Sequence, residues 1–231
     1  MKPQHGFFIT GTDTGVGKTL ISCAIIHELI QQGHQVIGMK PVAAGAEQSL
    51  NGLRNEDALE LMNASYSTLD YKLINPYCYE EAIAPHIAAD LTKLPIDLKH
   101  ILSHYQELRK HADMIIVEGA GGWLVPINAQ QTLADLAIML DLPVILVVGI
   151  RLGCLNHALL TQHAIKDSGL PLAGWVANII DPDNPTIKEN ISYLTKHIES
   201  PLLGITPYQA TTCPKELSEK LTIGADMSIT K

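Results

Sequence analysis

Residues 11–19 read Gly-Thr-Asp-Thr-Gly-Val-Gly-Lys-Thr, preceded by the apolar run Phe7–Thr10 and followed by an apolar helical pattern from Leu20. A glycine-rich turn between strand and helix points backbone N–H groups inward, and the helix N-terminus adds positive partial charge. Lys18 supplies a point charge and Thr19 a hydroxyl suited to Mg²⁺, so the implied chemistry is capture of a nucleoside triphosphate. The usual spacing G-x-x-x-x-G-K-[ST] would place glycine at position 12. Here Thr12 stands there, and the glycine lies one place earlier at Gly11.

Further polar residues sit where other apolar runs end. Lys40 follows Val36–Met39 and precedes Pro41-Val42-Ala43-Ala44, which puts an ammonium either at a ligand edge or on a solvated surface. Glu118 follows Met114–Val117 and precedes Gly119-Ala120-Gly121-Gly122; it suits an Mg²⁺ ligand or a cap for the following turn. Asp57, within Arg54-Asn55-Glu56-Asp57-Ala58, is open to two readings, metal ligand or complement to a helix dipole. Asn178 closes Gly174-Trp175-Val176-Ala177 and could read a base edge or form a turn. Pro207 and Tyr208 could wall a base or simply turn the chain. The ten histidines include no H-E-x-x-H pair, and no G-x-S-x-G elbow points to a serine hydrolase.

The elements that must position these residues are legible as a rhythm. Apolar runs at Phe7–Thr10, Val36–Met39, Met114–Val117, Val144–Val148, Trp175–Ala177 and Leu202–Ile205 predict buried parallel strands. Helical patterns cover Leu20–Gln32, Glu56–Met62, Leu98–His111, Leu133–Leu140, Leu155–Asp167 and Ile187–Ile198. The alternation predicts an α/β fold: a mostly parallel central sheet with helices on both faces, ligands gathering at the carboxyl ends of its strands. Residues 67–95, with Pro76, Pro85 and Pro95, break the rhythm and predict an excursion near the strand ends. The tail after Ile223 is expected to be loose.

Composition narrows the classes. At 231 residues the chain suits one large α/β domain. A net charge of −8 argues against a nucleic-acid-binding face. The four cysteines lack a C-x-x-C pair, which suggests reduced thiols and a cytoplasmic protein. The N-terminus has no signal-peptide core and the apolar runs are too short to span a bilayer, so no membrane role is expected.

Taken together, Gly11–Thr19, Lys40–Ala43, Arg54–Ala58, Val117–Trp123, Leu152–His157 and Gly174–Asn178 closely resemble the dethiobiotin synthetase family, in order and spacing from about residue 6 to 208. The shifted glycine of the phosphate turn belongs to that resemblance. It implies one P-loop synthetase domain over residues 1–231, and an ATP-dependent ring closure of 7,8-diaminopelargonate with CO₂ that gives dethiobiotin, ADP and phosphate. It further implies that Gly15, Val16, Gly17, Lys18, Thr19 and Leu20 wrap the phosphates, while Glu118, Gly119, Ala120 and Gly121 lie alongside. Thr19, Asp57 and Glu118 would hold Mg²⁺, with Lys18 and Lys40 as the catalytic cations. Asn178, Pro207, Tyr208 and Gln209 would meet the adenine. Thr14, Lys40, Ala44, Gly121 and Gly122 would border the diamine and carbamate, and Leu152, Gly153 and Asn156 would reach the substrate's tail carboxylate across a homodimer.

Three positions depart from the family pattern: Ala44 stands where serine is common, Gly15 where some members carry glutamate, and Asn190 where a tyrosine helps bind the tail. The rival reading is a ParA/MinD-like partitioning or positioning ATPase. That group carries a lysine where this chain has Asp13. A cobyrinate-type amide synthetase shares the phosphate turn but needs an ammonia-producing partner domain, and none fits here.

Overall fold

The computed structural model describes residues 5–208 and 213–224, so Gln209 and the tail beyond residue 224 lie outside it. The chain opens with β1 (Gly6–Gly11), α1 (Lys18–Gln31) and β2 (Val36–Met39). Smaller elements follow: β3 (Val42–Ala44), β4 (Glu47–Ser49), β5 (Gly52–Arg54), α2 (Glu56–Ala64), α3 (Tyr71–Ile74), β6 (Tyr77–Tyr79) and α4 (Pro85–Thr92). Regular alternation then runs through α5 (Leu98–Leu108), β7 (Met114–Gly122), α6 (Leu133–Leu140), β8 (Val144–Ile150), α7 (Cys154–Asp167), β9 (Leu172–Ile179), α8 (Ile187–His197), β10 (Leu202–Thr206) and α9 (Pro214–Ser218).

The main sheet has six strands in the order β10-β9-β8-β1-β7-β2. Every neighbouring pair is parallel. Leaving β1, the chain crosses over β7 to reach the edge strand β2; leaving β7, it crosses over β1 to reach β8. Connections therefore depart from the centre of the sheet in both directions, and the crevice where they part lies at the end of β1.

Strand side chains alternate between the two faces, and the apolar runs are buried on both. Phe7, Ile9, Ile116 and Val147 pack under Ile21, Ile25 and Leu29 of α1. Phe8, Ile115 and Val117 face the other way, against Ile101 and Leu108 of α5 and Leu136 of α6. Further along that second face, Leu146, Val148 and Trp175 meet Ala158 of α7 and Leu194 of α8.

All six predicted strands and all six predicted helices are present; β2 and α6 keep the predicted ends and the others are shifted at one or both ends. β7 continues through Gly122 instead of stopping at Val117, because the glycine run lets its backbone stay beside β1, where Gly11 pairs with Gly122. α1 begins at Lys18, two residues before the apolar pattern starts. The excursion at 67–95 holds α3, β6 and α4, and β6 pairs in parallel with β3 next to the end of β2. The short elements β3 to β6, α3, α4 and α9 have no signal of their own at that length.

Gly38 shows how closely β2 and its covering helices approach. A Cβ there would lie 2.8 Å from Leu61 Cβ and 3.0 Å from Ile26 Cδ1. Gly38→Ala should therefore lower stability by about 1–3 kcal/mol in urea unfolding, the usual cost of overpacking. An unchanged midpoint would show that α1 and α2 yield freely here.

Candidate active site

The phosphate turn is held by its own hydrogen bonds. Gly17, the N-cap of α1, has φ 86°, in the left-handed region where a side chain is strained. A Cβ at Gly17 would also lie 2.2 Å from Asn178 Nδ2, so only glycine fits. Asp13 ties the turn together. Its Oδ1 accepts the Thr14 N–H at 2.7 Å, its carbonyl accepts Lys18 Nζ at 2.9 Å, and its Oδ2 pairs with Arg151 Nη2 at 2.5 Å. Lys18 is 7% exposed, and burial followed by repulsion from Lys40 lowers its ammonium to about 8. A bound anion would relieve both effects, which makes the pocket receptive to phosphate.

Beside this turn, four elements bring their side chains into one charge cluster around the Lys40 ammonium. Lys40 comes from the end of β2, Asp57 from the first turn of α2, Glu118 from β7 and Thr19 from α1. Asn55 accepts the Ala58 N–H at 3.3 Å and so starts α2 with Asp57 in its first turn. Lys40 Nζ contacts Glu118 Oε1 at 2.6 Å and Asp57 Oδ2 at 2.7 Å, and it donates to Gly119 O at 3.3 Å. Thr19 Oγ1 donates to the same Glu118 Oε1 at 2.9 Å.

Glu118 is fully buried and Lys40 is 3% exposed, while Asp57 stays partly open. Burial alone would lower the Lys40 ammonium, but Glu118 and Asp57 outweigh it and hold it above its ordinary value. Burial pushes Asp57 up, yet the Lys40 ammonium brings it below the ordinary carboxyl range. The second Glu118 oxygen, Oε2, is buried and has no hydrogen-bond partner among the described residues. A buried carboxylate oxygen left in this state marks a place for a cation or donor that arrives with a ligand.

On the far side of the turn, Asn178 is 5% exposed. Its Nδ2 donates to Val16 O at 2.8 Å and its Oδ1 accepts Thr206 Oγ1 at 2.5 Å. One hydrogen and one lone pair of the amide remain. Pro207 and the exposed Tyr208 follow directly after β10; Gln209 lies outside the described residues. Thr14 is exposed, and a Cβ on Gly121 would lie 3.4 Å from its Oγ1, so Thr14 borders the glycine run of Ala120, Gly121 and Gly122. Ala44 ends β3 and is half-buried, while Gly15 lies within the turn and Leu20 follows it in the first turn of α1. Leu152, Gly153 and Asn156 are exposed around the N-terminus of α7, where Gly153 is the N-cap. Asn190 donates to Thr186 Oγ1 at 3.4 Å within its own helix region.

Reading along the chain misses two partners in this arrangement, Arg151 and Thr206. Both directly follow or end a strand of the central sheet, and that position is the signal that could have found them. Arg151 also explains Asp13: the acid in the phosphate turn is neutralised from the β8–α7 loop.

A parallel sheet with a phosphate turn after its central strand, Lys-Thr opening the next helix and a buried acid on the adjacent strand defines a P-loop nucleoside-triphosphate-binding protein. Solved structures agree on the fold. The MinC:MinD cell division protein complex of Aquifex aeolicus matches with a TM-score of 0.56 at 16% identity, covering 89% of this chain and 82% of that one. A ParA family ATPase from Chlorobium tepidum matches at 0.54 and 17%, covering 90% and 86%. The sequence also matches the family described as AAA domain over residues 5–216.

Curated relatives are more specific. An ATP-dependent dethiobiotin synthetase from Nitrosospira multiformis is 50% identical over 218 residues, 94% of this chain and 95% of its own. One from Cellvibrio japonicus is 50% identical over 204 residues, 88% and 90% of the two chains. The chain belongs to the ATP-dependent dethiobiotin synthetase family.

Removing the shared cation should be costly to the fold itself. Lys40→Ala leaves Glu118 buried and unneutralised, which is expected to lower stability by about 3–5 kcal/mol in chemical denaturation without nucleotide. A loss below about 1 kcal/mol, the range of an exposed pair, would contradict a buried charge cluster.

Proposed function

We propose that the protein closes the urea ring of dethiobiotin in biotin biosynthesis, consuming 7,8-diaminopelargonate, CO₂ and ATP and releasing ADP and phosphate. The observation that supports this reading most directly is the Lys40 ammonium buried between Asp57 and Glu118, next to Lys18 and the phosphate turn. In this reaction a substrate amine adds CO₂ to form a carbamate and sheds a proton. A carbamate oxygen then attacks the γ-phosphorus as the bond to ADP breaks. The second amine finally attacks the carbonyl carbon of the mixed anhydride, phosphate departs, and the amine proton is lost to solvent.

Each step brings anions together, so the chain's task is to supply and aim positive charge. Lys18 and the N–H groups from Gly15 to Leu20 cradle the β- and γ-phosphates. Lys40 carries its ammonium to the point where carbamate meets the γ-phosphoryl group. Thr14, Ala44, Gly121 and Gly122 border the diamine, and Ala44 does so without a hydroxyl.

Thr19, Asp57 and Glu118 suit Mg²⁺: one hydroxyl and two carboxylates, with Glu118 Oε2 lacking any hydrogen-bond partner among the described residues. A hard cation held by these residues would take water and phosphate oxygens as its other ligands. Bound there, Mg²⁺ would neutralise the phosphate oxygens on which negative charge collects.

Asn178 meets the adenine edge, with Glu118, Gly119, Ala120 and Gly121 along the nucleotide and Pro207, Tyr208 and Gln209 beside the base. We place the tail carboxylate of the substrate at the N-terminus of α7, by Leu152, Gly153 and Asn156 of a second copy. The 94% exposure of Leu152 there supports a homodimer. Residues 1–231 act as one catalytic unit per copy, and the four free cysteines fit a cytoplasmic enzyme. Among the described residues no helix is long and apolar enough to cross a membrane. The likeness to MinD and ParA proteins is one of fold, and Asp13, engaged by Arg151, occupies the place of their additional lysine.

Incubating the purified protein with the diamine, bicarbonate, Mg²⁺ and ATP should yield the cyclic urea, detected by mass. Lys40→Ala should still bind ATP in the presence of Mg²⁺ yet lose turnover by roughly a hundredfold or more, as for loss of a charge-stabilising donor. Wild-type turnover by that variant would remove Lys40 from the chemistry. Asn178→Ala should narrow the preference for ATP over GTP and CTP in the same assay; an unchanged preference would reject base reading by this amide.

A further inference from the structure

Lys40 lies just past the end of β2, where the main sheet no longer holds its backbone, yet its ammonium is placed between two acids from other elements. The excursion after α2 supplies the missing support. Lys40 donates its N–H to Ile74 O at 3.0 Å, and its carbonyl accepts Asn75 Nδ2 at 2.6 Å. The same amide nitrogen reaches Tyr77 O at 3.1 Å, and Asn75 Oδ1 accepts the Tyr71 hydroxyl at 2.8 Å. Tyr71 oxygen in turn accepts the Asn55 N–H at 2.8 Å. Asn55 is the N-cap of α2, two residues before Asp57.

A continuous chain of hydrogen bonds thus runs from the backbone of Lys40 through Asn75 and Tyr71 to the start of the helix that carries Asp57. Its three polar members are buried: Asn75 is 2% exposed, and Tyr71 and Asn55 are 6%. Asn75 uses both amide hydrogens and its oxygen, while the Tyr71 hydroxyl both gives and accepts. The Arg54 guanidinium lies 4.2 Å from the centroid of the Tyr71 ring and keeps it seated. A satisfied buried network of this kind specifies one geometry, because any displacement strands a polar group away from water.

We infer that Tyr71 and Asn75 are positioning residues for the reaction. They set the loop of Lys40 and the N-terminus of α2 in one register, so that the Lys40 ammonium and the Asp57 carboxylate are held at one fixed separation at the reaction centre. Neither touches the phosphate turn, so they act on the chemical step and leave the triphosphate's own cradle intact. This rests on the role proposed above for Lys40.

The test compares Tyr71→Phe, Asn75→Asp and Lys40→Ala in steady-state kinetics, at a temperature where circular dichroism shows each folded. Tyr71→Phe keeps the ring under Arg54 and removes only the bridging hydroxyl. It should lower kcat by roughly tenfold to a hundredfold, the scale of a sub-ångström to 1 Å misplacement, with KM for ATP within about twofold of wild type. Asn75→Asp keeps an acceptor for Tyr71 but cannot donate to Lys40 O, and should show the same split between kcat and KM. If Lys40→Ala loses turnover while Tyr71→Phe keeps wild-type kcat, the positioning role is overturned. A rise in KM for ATP matching the fall in kcat would overturn it as well, since that pattern belongs to general loosening. Full turnover by Lys40→Ala is a different failure, removing the reading of Lys40 on which the inference rests.

Discussion

One buried ammonium between two carboxylates is the constraint around which the site is built. Lys40, Glu118 and Asp57 arrive from β2, β7 and α2, and their contacts at 2.6 and 2.7 Å require those elements to meet within a few tenths of an ångström. Charges taken out of water lose their hydration, and only close, well-satisfied partners offset that loss. The fold meets the requirement through the order of its strands. β7 lies between β1 and β2, so the acid of β7 comes within reach of both the phosphate turn after β1 and the lysine after β2.

A second consequence is that the two ammonium groups are set against each other. Lys40 is stabilised by its acids, while Lys18 is buried, repelled by Lys40, and among the described residues hydrogen-bonded to a backbone carbonyl of its own turn, with the carboxylates of Glu118, Asp57 and Asp13 offsetting its burial in part. The site is thus electrostatically uneven: Lys40 is paired with two carboxylates, and Lys18 with a carbonyl. On the proposed reaction this asymmetry suits the order of events. The triphosphate satisfies Lys18 on arrival, and Lys40 is then available to the group that attacks it.

The same reasoning assigns work to the excursion between α2 and α5. It adds no strand to the main sheet, and its prolines and short elements make it look like a detour. Its value is geometric. A lysine beyond the last hydrogen-bonded residue of an edge strand needs a second backbone to lean on, and the segment from Tyr71 to Tyr77 is that backbone. Arg151 does the parallel task for the phosphate turn, holding Asp13 from the loop after β8.

What could be read along the chain was whatever depends on near neighbours. The phosphate turn is contiguous, so Gly17, Lys18 and Thr19 announce themselves; the apolar runs of β1, β7, β8 and β9 are legible because both faces of a parallel strand are buried. Lys40, Glu118 and Asn178 stand out by position, at or near the ends of the apolar runs of β2, β7 and β9. Strand register, the glycine run that extends β7, and the partners of Asp13, Asn178 and Lys40 were decided only by the tertiary structure. Each of these depends on residues well apart along the chain, such as Lys40 with Asp57 at 17 positions or Arg151 with Asp13 at 138. Side-chain periodicity carries no record of which strand lies beside which. Only packing both faces of the sheet at once brings such distant polar groups to the same edge, where burial forces each to find its partner.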